Sequence, residues 1–457
     1  MSSARGKAPD MRERLRALFP DCFVTSVGEN GDPIERLDVA RLQEALGEAT
    51  EFLLPERFGL DWPGKRAARA LADEPPRCRL VPDPARSLHF DETENLFVEG
   101  DNLDALKLLA PELAGQVKLI YIDPPYNTGN RAFVYNDAFS QRRGDANGRH
   151  HAAWLSMIYP RLVLAQRLLA EDGVIFLSID DNESAHLRLV CDEVFGAANF
   201  VAQICHRARA SVSNDKIISS NHNLILLYAK DRTVLEQRRR AFGLEPDEKG
   251  FDKEDERGPY KLAPVDGPGG AAKGNPHYEF LGVSGHFRFS KETMQRMFEE
   301  GRIVKRGNTL QQKIHLADRR GARRTDTTWW DDRLYTSTAT ARLKELMGGD
   351  YFDGPKPVAL VRRMLRLWAR EEGDVVLDFF AGSGTTAHAV LEQSALDGIR
   401  RRFVLVQLPE PCPPRSEAAR AGFTTIADIA RERIRRAAAL HPDAPDRGFR
   451  CMCVSPA

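Results

Sequence analysis

Val117-Lys118-Leu119-Ile120-Tyr121-Ile122-Asp123-Pro124-Pro125-Tyr126 is a largely apolar run that stops on a carboxylate, two prolines and an aromatic ring. The run predicts a buried strand, and the prolines, which lack an N–H and fix φ, end it in a rigid bend. Asp123 then stands at a strand's carboxyl end, where ligands bind in open α/β sheets. There a carboxylate accepts a hydrogen bond from an exocyclic NH2, the stiffened Pro124-Pro125 backbone presents acceptors, and Tyr126 offers a stacking face. That set suits chemistry on a flat, amino-bearing ring. The four residues alone are also compatible with an ordinary strand-to-loop turn.

Far downstream, Val375-Val376-Leu377-Asp378 repeats the buried-strand pattern and Phe379-Phe380-Ala381-Gly382-Ser383-Gly384-Thr385-Thr386 leads into a helix from Ala387. Gly382 and Gly384 permit a tight turn and close backbone approach, and the helix start offers N–H groups and hydroxyls to a polar ligand. This is a nucleotide-type cradle but not a phosphate loop, because no lysine follows Gly384.

Phe380 to Gly384 matches the S-adenosylmethionine-binding FxGxG motif, and Asp123 to Tyr126 matches the DPPY motif of DNA amino-methyltransferases. With DPPY first and FxGxG last, the chain resembles the β group of that family, and in particular the modification subunits of type III restriction systems. Asn95 to Asn102, Tyr121 to Asn130, Trp154 to Leu164, Gly173 to Glu183 and Val404 to Pro411 carry the same likeness. It implies a Rossmann-like α/β sheet, S-adenosyl-L-methionine as cofactor, and methyl transfer to N6 of an adenine flipped out of duplex DNA. It assigns catalysis to Asp123, Pro124, Pro125 and Tyr126. Cofactor binding falls to Asp378, Phe380, Ala381, Gly382, Gly384, Thr385, Thr386 and Gln407, and to Lys356 of a Lys-Pro motif beside the methionine end. No metal ligand set is implied. N4 methylation of cytosine uses the same geometry, but the cytosine enzymes more often carry serine where Asp123 stands. A catalytically silent DNA-recognition subunit is the reading from another class. Duplex DNA is the implied partner, with a homodimer and a restriction subunit also in view; the chain is shorter than the type III subunits, which weighs against the latter.

The 457 residues suffice for one large α/β domain with smaller additions, and 42% hydrophobic content suits a soluble protein. No run approaches the roughly 20 apolar residues of a membrane span, and a secretory signal is not apparent, so the expected location is cytoplasmic. Seven scattered cysteines suggest reduced thiols. The 66 basic and 66 acidic residues cancel, so charge distribution carries the information. Between Arg302 and Arg324, the residues Arg302, Lys305, Arg306, Lys313, Arg319, Arg320, Arg323 and Arg324 cluster with only Asp318 as an acidic neighbour, ahead of Trp329-Trp330. The stretch reads either as a DNA-phosphate surface or as a solvated charged face.

The expected organisation is a helical N-terminal arm over 1–90, a catalytic half over 91–230, an inserted target-recognition region over 231–350, a cofactor-binding half over 351–415, and a C-terminal helix and tail over 416–457. Asp101 ends a further strand, where it either bonds the cofactor's adenine or caps the following helix. Residues 127–150 suit a loop closing over the target base. Asp180-Asp181 ahead of Glu183 read as pocket-shaping acids or as a helix start. Residues 231–276 read as a flexible insertion, and Ile426 to Leu440 with the tail as surface. Gln407 stands where Rossmann-type sites usually place an acid for the ribose.

Overall fold

The computed structural model describes residues 11–27, 33–46, 59–128, 149–214, 217–246, 249–319 and 323–457. Residues up to Gly59 make a separate unit. Its described part pairs strands Phe23–Val27 and Pro33–Leu37 antiparallel, with helices Met11–Leu18 and Val39–Leu46 on either side in sequence. The expected helical arm over 1–90 therefore needs correcting twice. It contains a hairpin, and from Leu60 onward the chain belongs to the larger unit. Helix Lys65–Asp73 puts Ala68 and Ala72, four apart and so on one face, into that unit's core.

The larger unit is organised around ten strands. Their order across the sheet is Trp329–Trp330, Phe200–Arg207, His222–Ala229, Leu169–Ile179, Val117–Ile122, Val375–Asp378, Arg402–Gln407, Leu96–Glu99, Arg450–Pro456 and Cys78–Pro82. The run from Leu169–Ile179 to Arg450–Pro456 is parallel throughout, while His222–Ala229 and Cys78–Pro82 add antiparallel neighbours at its two ends. Parallel strands buried on both faces need apolar residues in unbroken runs, and Val117–Ile122 is buried at all six positions. Successive side chains point to opposite faces. Ile120 and Ile122 join the core built with helices Asn102–Leu113 and Arg149–Leu168. Leu119 and Tyr121 join the opposite core, built with helices Val358–Trp368, Thr385–Asp397 and Ile426–Leu440. The Rossmann-like sheet expected from the sequence is thus present.

Strands Val117–Ile122 and Val375–Asp378 are more than two hundred residues apart in the chain yet adjacent and parallel, with Leu377 opposite Ile120. The Asp123 loop and the Phe380–Gly384 turn consequently leave the sheet side by side, at a point where the strand order departs from chain order.

Three further expectations give way. Helix Ile426–Leu440 is not surface: Ala427, Ala430, Ile434, Ala437 and Ala438 are buried in the core on one face of the sheet, Ile426 and Ile429 in a small cluster with Leu343, Met347 and Phe352, and even Arg431 and Arg433 are covered. Its alanines allow close approach, a feature that hydropathy understates. The tail is equally internal, since Arg450–Pro456 inserts between Leu96–Glu99 and Cys78–Pro82. Within 231–276, strands Lys253–Asp255 and Gly258–Pro264 form a four-stranded sheet with Ile303–Arg306 and Thr309–His315. Val265, Phe280, Phe287, Met294, Met297, Ile303 and Leu310 give this insertion its own small core. The loop expected over 127–150 lies mostly outside the described residues. All seven cysteines are free thiols. Among the described residues no helix is long and apolar enough to cross a membrane.

Candidate active site

A cavity of about 310 Å³ opens where the two strand ends meet, within the size range of small-ligand sites. Asp101, Asp123, Pro125, Lys356, Asp378, Phe380, Ala381, Gly382, Thr385 and Gln407 line it. Pro124, Tyr126, Gly384 and Thr386 do not. Phe352, Met157, Arg161 and Leu408 also line the wall; Met157, Arg161 and Leu408 lie in stretches that carry the family likeness but had no assigned role, and Phe352 lies outside them.

At the loop, the Asp123 carboxylate is held from two sides. The Tyr126 hydroxyl donates to Oδ1 at 2.7 Å, and Lys356 Nζ donates to Oδ2 at 2.5 Å. The Lys356 ammonium also stands 5.1 Å from the centre of the Tyr126 ring, a cation–π contact. Lys356, expected beside the cofactor, therefore also touches the DPPY residues. It further lines a larger cavity of about 870 Å³ bordered by Tyr335, Arg342, His388, Arg433 and His441. The loop backbone is pinned by the buried indole of Trp154, which donates to the Pro125 carbonyl at 2.7 Å.

In the turn, each glycine has its own task. Gly382 adopts φ +53°, and a Cβ there would lie 3.3 Å from the Phe352 ring on the cavity wall. Gly384 adopts φ +78°, but its Cβ would meet the Ala430 carbonyl at 3.3 Å and Ile434 at 3.4 Å. Gly384 thus serves packing against the Ile426–Leu440 helix. The sequence could not separate the two roles, because both glycines satisfy the same local pattern.

Asp378 is buried and turned inward, accepting hydrogen bonds from the Thr386 hydroxyl and from the Phe380 N–H at 3.0 Å. Burial pushes its carboxyl up to about 7, against the lowering effect of those two donors, and the nearby Asp123 charge adds to the rise. Gln407 Oε1 accepts the Gly382 N–H at 2.7 Å, and its amide donates to the Leu408 carbonyl at 3.1 Å. The departure from an acid at that position has a structural use: Gln407 clasps the glycine turn. Asp101 caps helix Asn102–Leu113 through the Leu103 N–H at 2.8 Å and the Asp104 N–H at 3.4 Å, and pairs with Arg161 at 3.0 Å. Capping is its observed role, with one edge on the cavity. Arg433 Nη1 donates to both the Ser383 and Thr385 hydroxyls at 2.8 Å, tying the buried helix to the cradle.

Of the basic stretch, Arg320 lies outside the described residues. Lys313 pairs with Asp255 at 2.7 Å, Arg302 with Glu300 at 3.6 Å and with Asp318 at 3.5 Å, and Arg323 with Glu245 at 3.9 Å. Asp318 is thus not their only acidic neighbour, since distant segments of the insertion supply others. Lys305 donates to the Leu281 carbonyl at 2.8 Å. Arg306, Arg319 and Arg324 are exposed. Asp180 accepts from Asn182 in the turn before helix Ser184–Cys191, away from the cavity lining.

A model of the DNA methylase family matches residues 117–396. Over 464 residues the chain is 34% identical to the Mod subunit of the type III restriction-modification enzyme StyLTI of Salmonella typhimurium, covering 93% of this chain and 70% of that one. Identity to the Mod subunit of the type III enzyme EcoPI of Escherichia phage P1 is 33%, covering 92% and 73%. The type II methyltransferase M.KpnI of Klebsiella pneumoniae is 31% identical, covering 78% of this chain and 90% of its own length.

Proposed function

Because this chain belongs to the DNA methylase family, we propose that it methylates N6 of an adenine turned out of duplex DNA, as the modification component of a restriction–modification system. The single observation carrying the site assignment is the shared cavity: Asp123 and Lys356 from one side and the Phe380–Gly382 turn from the other border one space of ligand size. Bound S-adenosyl-L-methionine supplies a methyl group activated on a sulfonium sulfur. The fit to this chain rests on Gly382, where a Cβ would crowd the Phe352 ring at 3.3 Å, and on the aromatic and apolar wall of Phe352, Phe380 and Leu408.

Asp123 accepts an N–H of the target amine, and the Pro124 carbonyl accepts the other, so that the nitrogen's lone pair is drawn out of conjugation and aimed at the methyl carbon. Transfer of the cofactor's methyl group to the amine would leave its sulfur as a neutral thioether, and Asp123 would receive the amine's surplus proton along their hydrogen bond. Tyr126 stacks on the extruded base. Lys356 holds the Asp123 carboxylate in place until the amine takes over Oδ2. The aspartate at 123 favours adenine over the N4 of cytosine. Arg306, Arg319 and Arg324 track DNA phosphates from the inserted region. The reading places the protein in the cytoplasm, with duplex DNA as substrate and a restriction subunit as the partner that the relatives' names suggest.

Asp123→Ala tests the assignment. DNA from cells expressing the wild type should contain N6-methyladenine at a defined sequence, and DNA from cells expressing the variant should not. Purified variant should still bind S-adenosyl-L-methionine. N4-methylcytosine in place of methyladenine would shift the substrate, and wild-type transfer by the variant would remove Asp123 from the mechanism.

A further inference from the structure

Directly after Tyr126, Asn127 adopts φ +58°, a left-handed conformation that asparagine tolerates better than most residues. Its side-chain amide donates to Glu183 Oε1 at 2.6 Å and to the His150 carbonyl at 3.2 Å. Glu183 is fully buried at the start of helix Ser184–Cys191. His151 Nδ1 meets the same Oε1 at 2.7 Å, and His186 Nδ1 meets Oε2 at 2.8 Å. His150 lies against His151 with ring centres 3.7 Å apart and planes tilted by 41°. A carboxylate removed from water is costly unless its lone pairs are satisfied, and here three donors converge on one.

Two histidines and a glutamate also form a ligand set for a metal ion. The observed separations of 2.7 and 2.8 Å are hydrogen-bond lengths, so in this structure the cluster is a hydrogen-bonded network.

We propose that Glu183 is a positioning residue for methyl transfer, acting through Asn127 to hold the Asp123–Tyr126 loop in its working conformation, with His151 and His186 as its supporting donors. This rests on the function proposed above. Trp154 pins the same loop at Pro125, so the loop is gripped on both sides of Tyr126 and its backbone acceptors have a defined direction. Burial pushes the Glu183 carboxyl up, but the hydrogen bonds from His186, Asn127 and His151 more than reverse this and leave it below its ordinary value. The hydrogen bond to Glu183 in turn raises His186. Both directions favour a charged anchor under the loop.

A polarity swap tests the proposal on the full-length chain. Asn127→Asp sets two carboxylates against each other, and Glu183→Gln removes the buried charge. In the double variant the glutamine amide donates to the new aspartate, restoring the contact between positions 127 and 183 with donor and acceptor exchanged, while the bond to the His150 carbonyl stays lost. Each single variant should lose about 10²-fold in kcat, the cost of a small misplacement of reacting groups, with cofactor Kd and KM for DNA unchanged. The double variant should recover about ten-fold or more. Hydrogen exchange at the amides of Tyr126, Asn127 and Thr128 should rise in each single variant and fall back in the double, a readout that does not require activity. A wild type that transfers no methyl group would sink the functional reading while exchange still decided the anchor. Unchanged exchange in the single variants, or a double variant no better than the worse single, would overturn the anchor.

Discussion

Gly384→Ala separates a packing role from a ligand-binding role in the glycine turn. At φ +78° a non-glycine residue costs about 1–2 kcal/mol in the left-handed region. The added Cβ would lie 3.3 Å from the Ala430 carbonyl and 3.4 Å from Ile434, both on a buried helix with little room to yield, which adds about 1–3 kcal/mol of overpacking. The sum is about 2–5 kcal/mol. With an unfolding entropy of about 2.1 cal/mol/K per residue, a unit running from Leu60 to Ala457 carries about 0.8 kcal/mol/K, so Tm should fall by about 2–6 °C. The companion Gly382→Ala places its Cβ 3.3 Å from the Phe352 ring at the cavity wall. It should weaken S-adenosyl-L-methionine binding by about ten-fold, or about 1.4 kcal/mol. Thermal unfolding and titration calorimetry on both variants make the comparison. A Gly384→Ala protein with wild-type Tm and abolished cofactor binding would refute the reasoning, since it would put the ligand where the structure has a helix.

Tyr126→Phe keeps the stacking face but removes the hydroxyl that donates to Asp123, so it should lower kcat while binding of a mismatched-base duplex holds; Tyr126→Ala should cost about 1–3 kcal/mol of that binding. Replacing Arg306, Arg319 and Arg324 with alanine should flatten the salt dependence of DNA binding by up to about 0.9 per lost phosphate contact, whereas Lys313→Ala, which removes a residue already paired with Asp255, should leave the slope unchanged in filter-binding or anisotropy titrations. Because burial raises Asp378 to about 7 from an ordinary 3.8, the folded state holds that proton more firmly than the unfolded one. Its contribution to stability therefore declines as pH rises through that window, at about 1.4 kcal/mol per unit. Asp378→Asn should remove the slope in denaturant titrations between pH 5 and 7, and an unchanged slope would mean Asp378 is ionised throughout.

Much of the site was readable because its determinants are local. Two prolines behind an apolar run end a strand wherever they occur, and a Phe380-Ala381-Gly382-Ser383-Gly384 turn between strand and helix needs only its own backbone freedom. Those features named the family and the sheet. Charge pairing was less readable, because Lys313 finds Asp255 across the intervening strand Gly258–Pro264 and Arg323 finds Glu245, partners that a scan of nearby sequence passes over.

The sequence by itself determined the buried strands that end at Asp123 and Asp378, where the chain bends after them, and which residue types suit a base and a cofactor. Only the tertiary structure decided that Asp123 and Gly382 share one cavity, that Lys356 grips Asp123, that Gly384 faces a helix, and that Glu183 anchors Asn127. The physical reason is range. Strand periodicity and turn geometry arise from neighbouring φ/ψ preferences, whereas these contacts close chain loops of tens to hundreds of residues and exist only once packing of the two cores has set the register of the parallel strands.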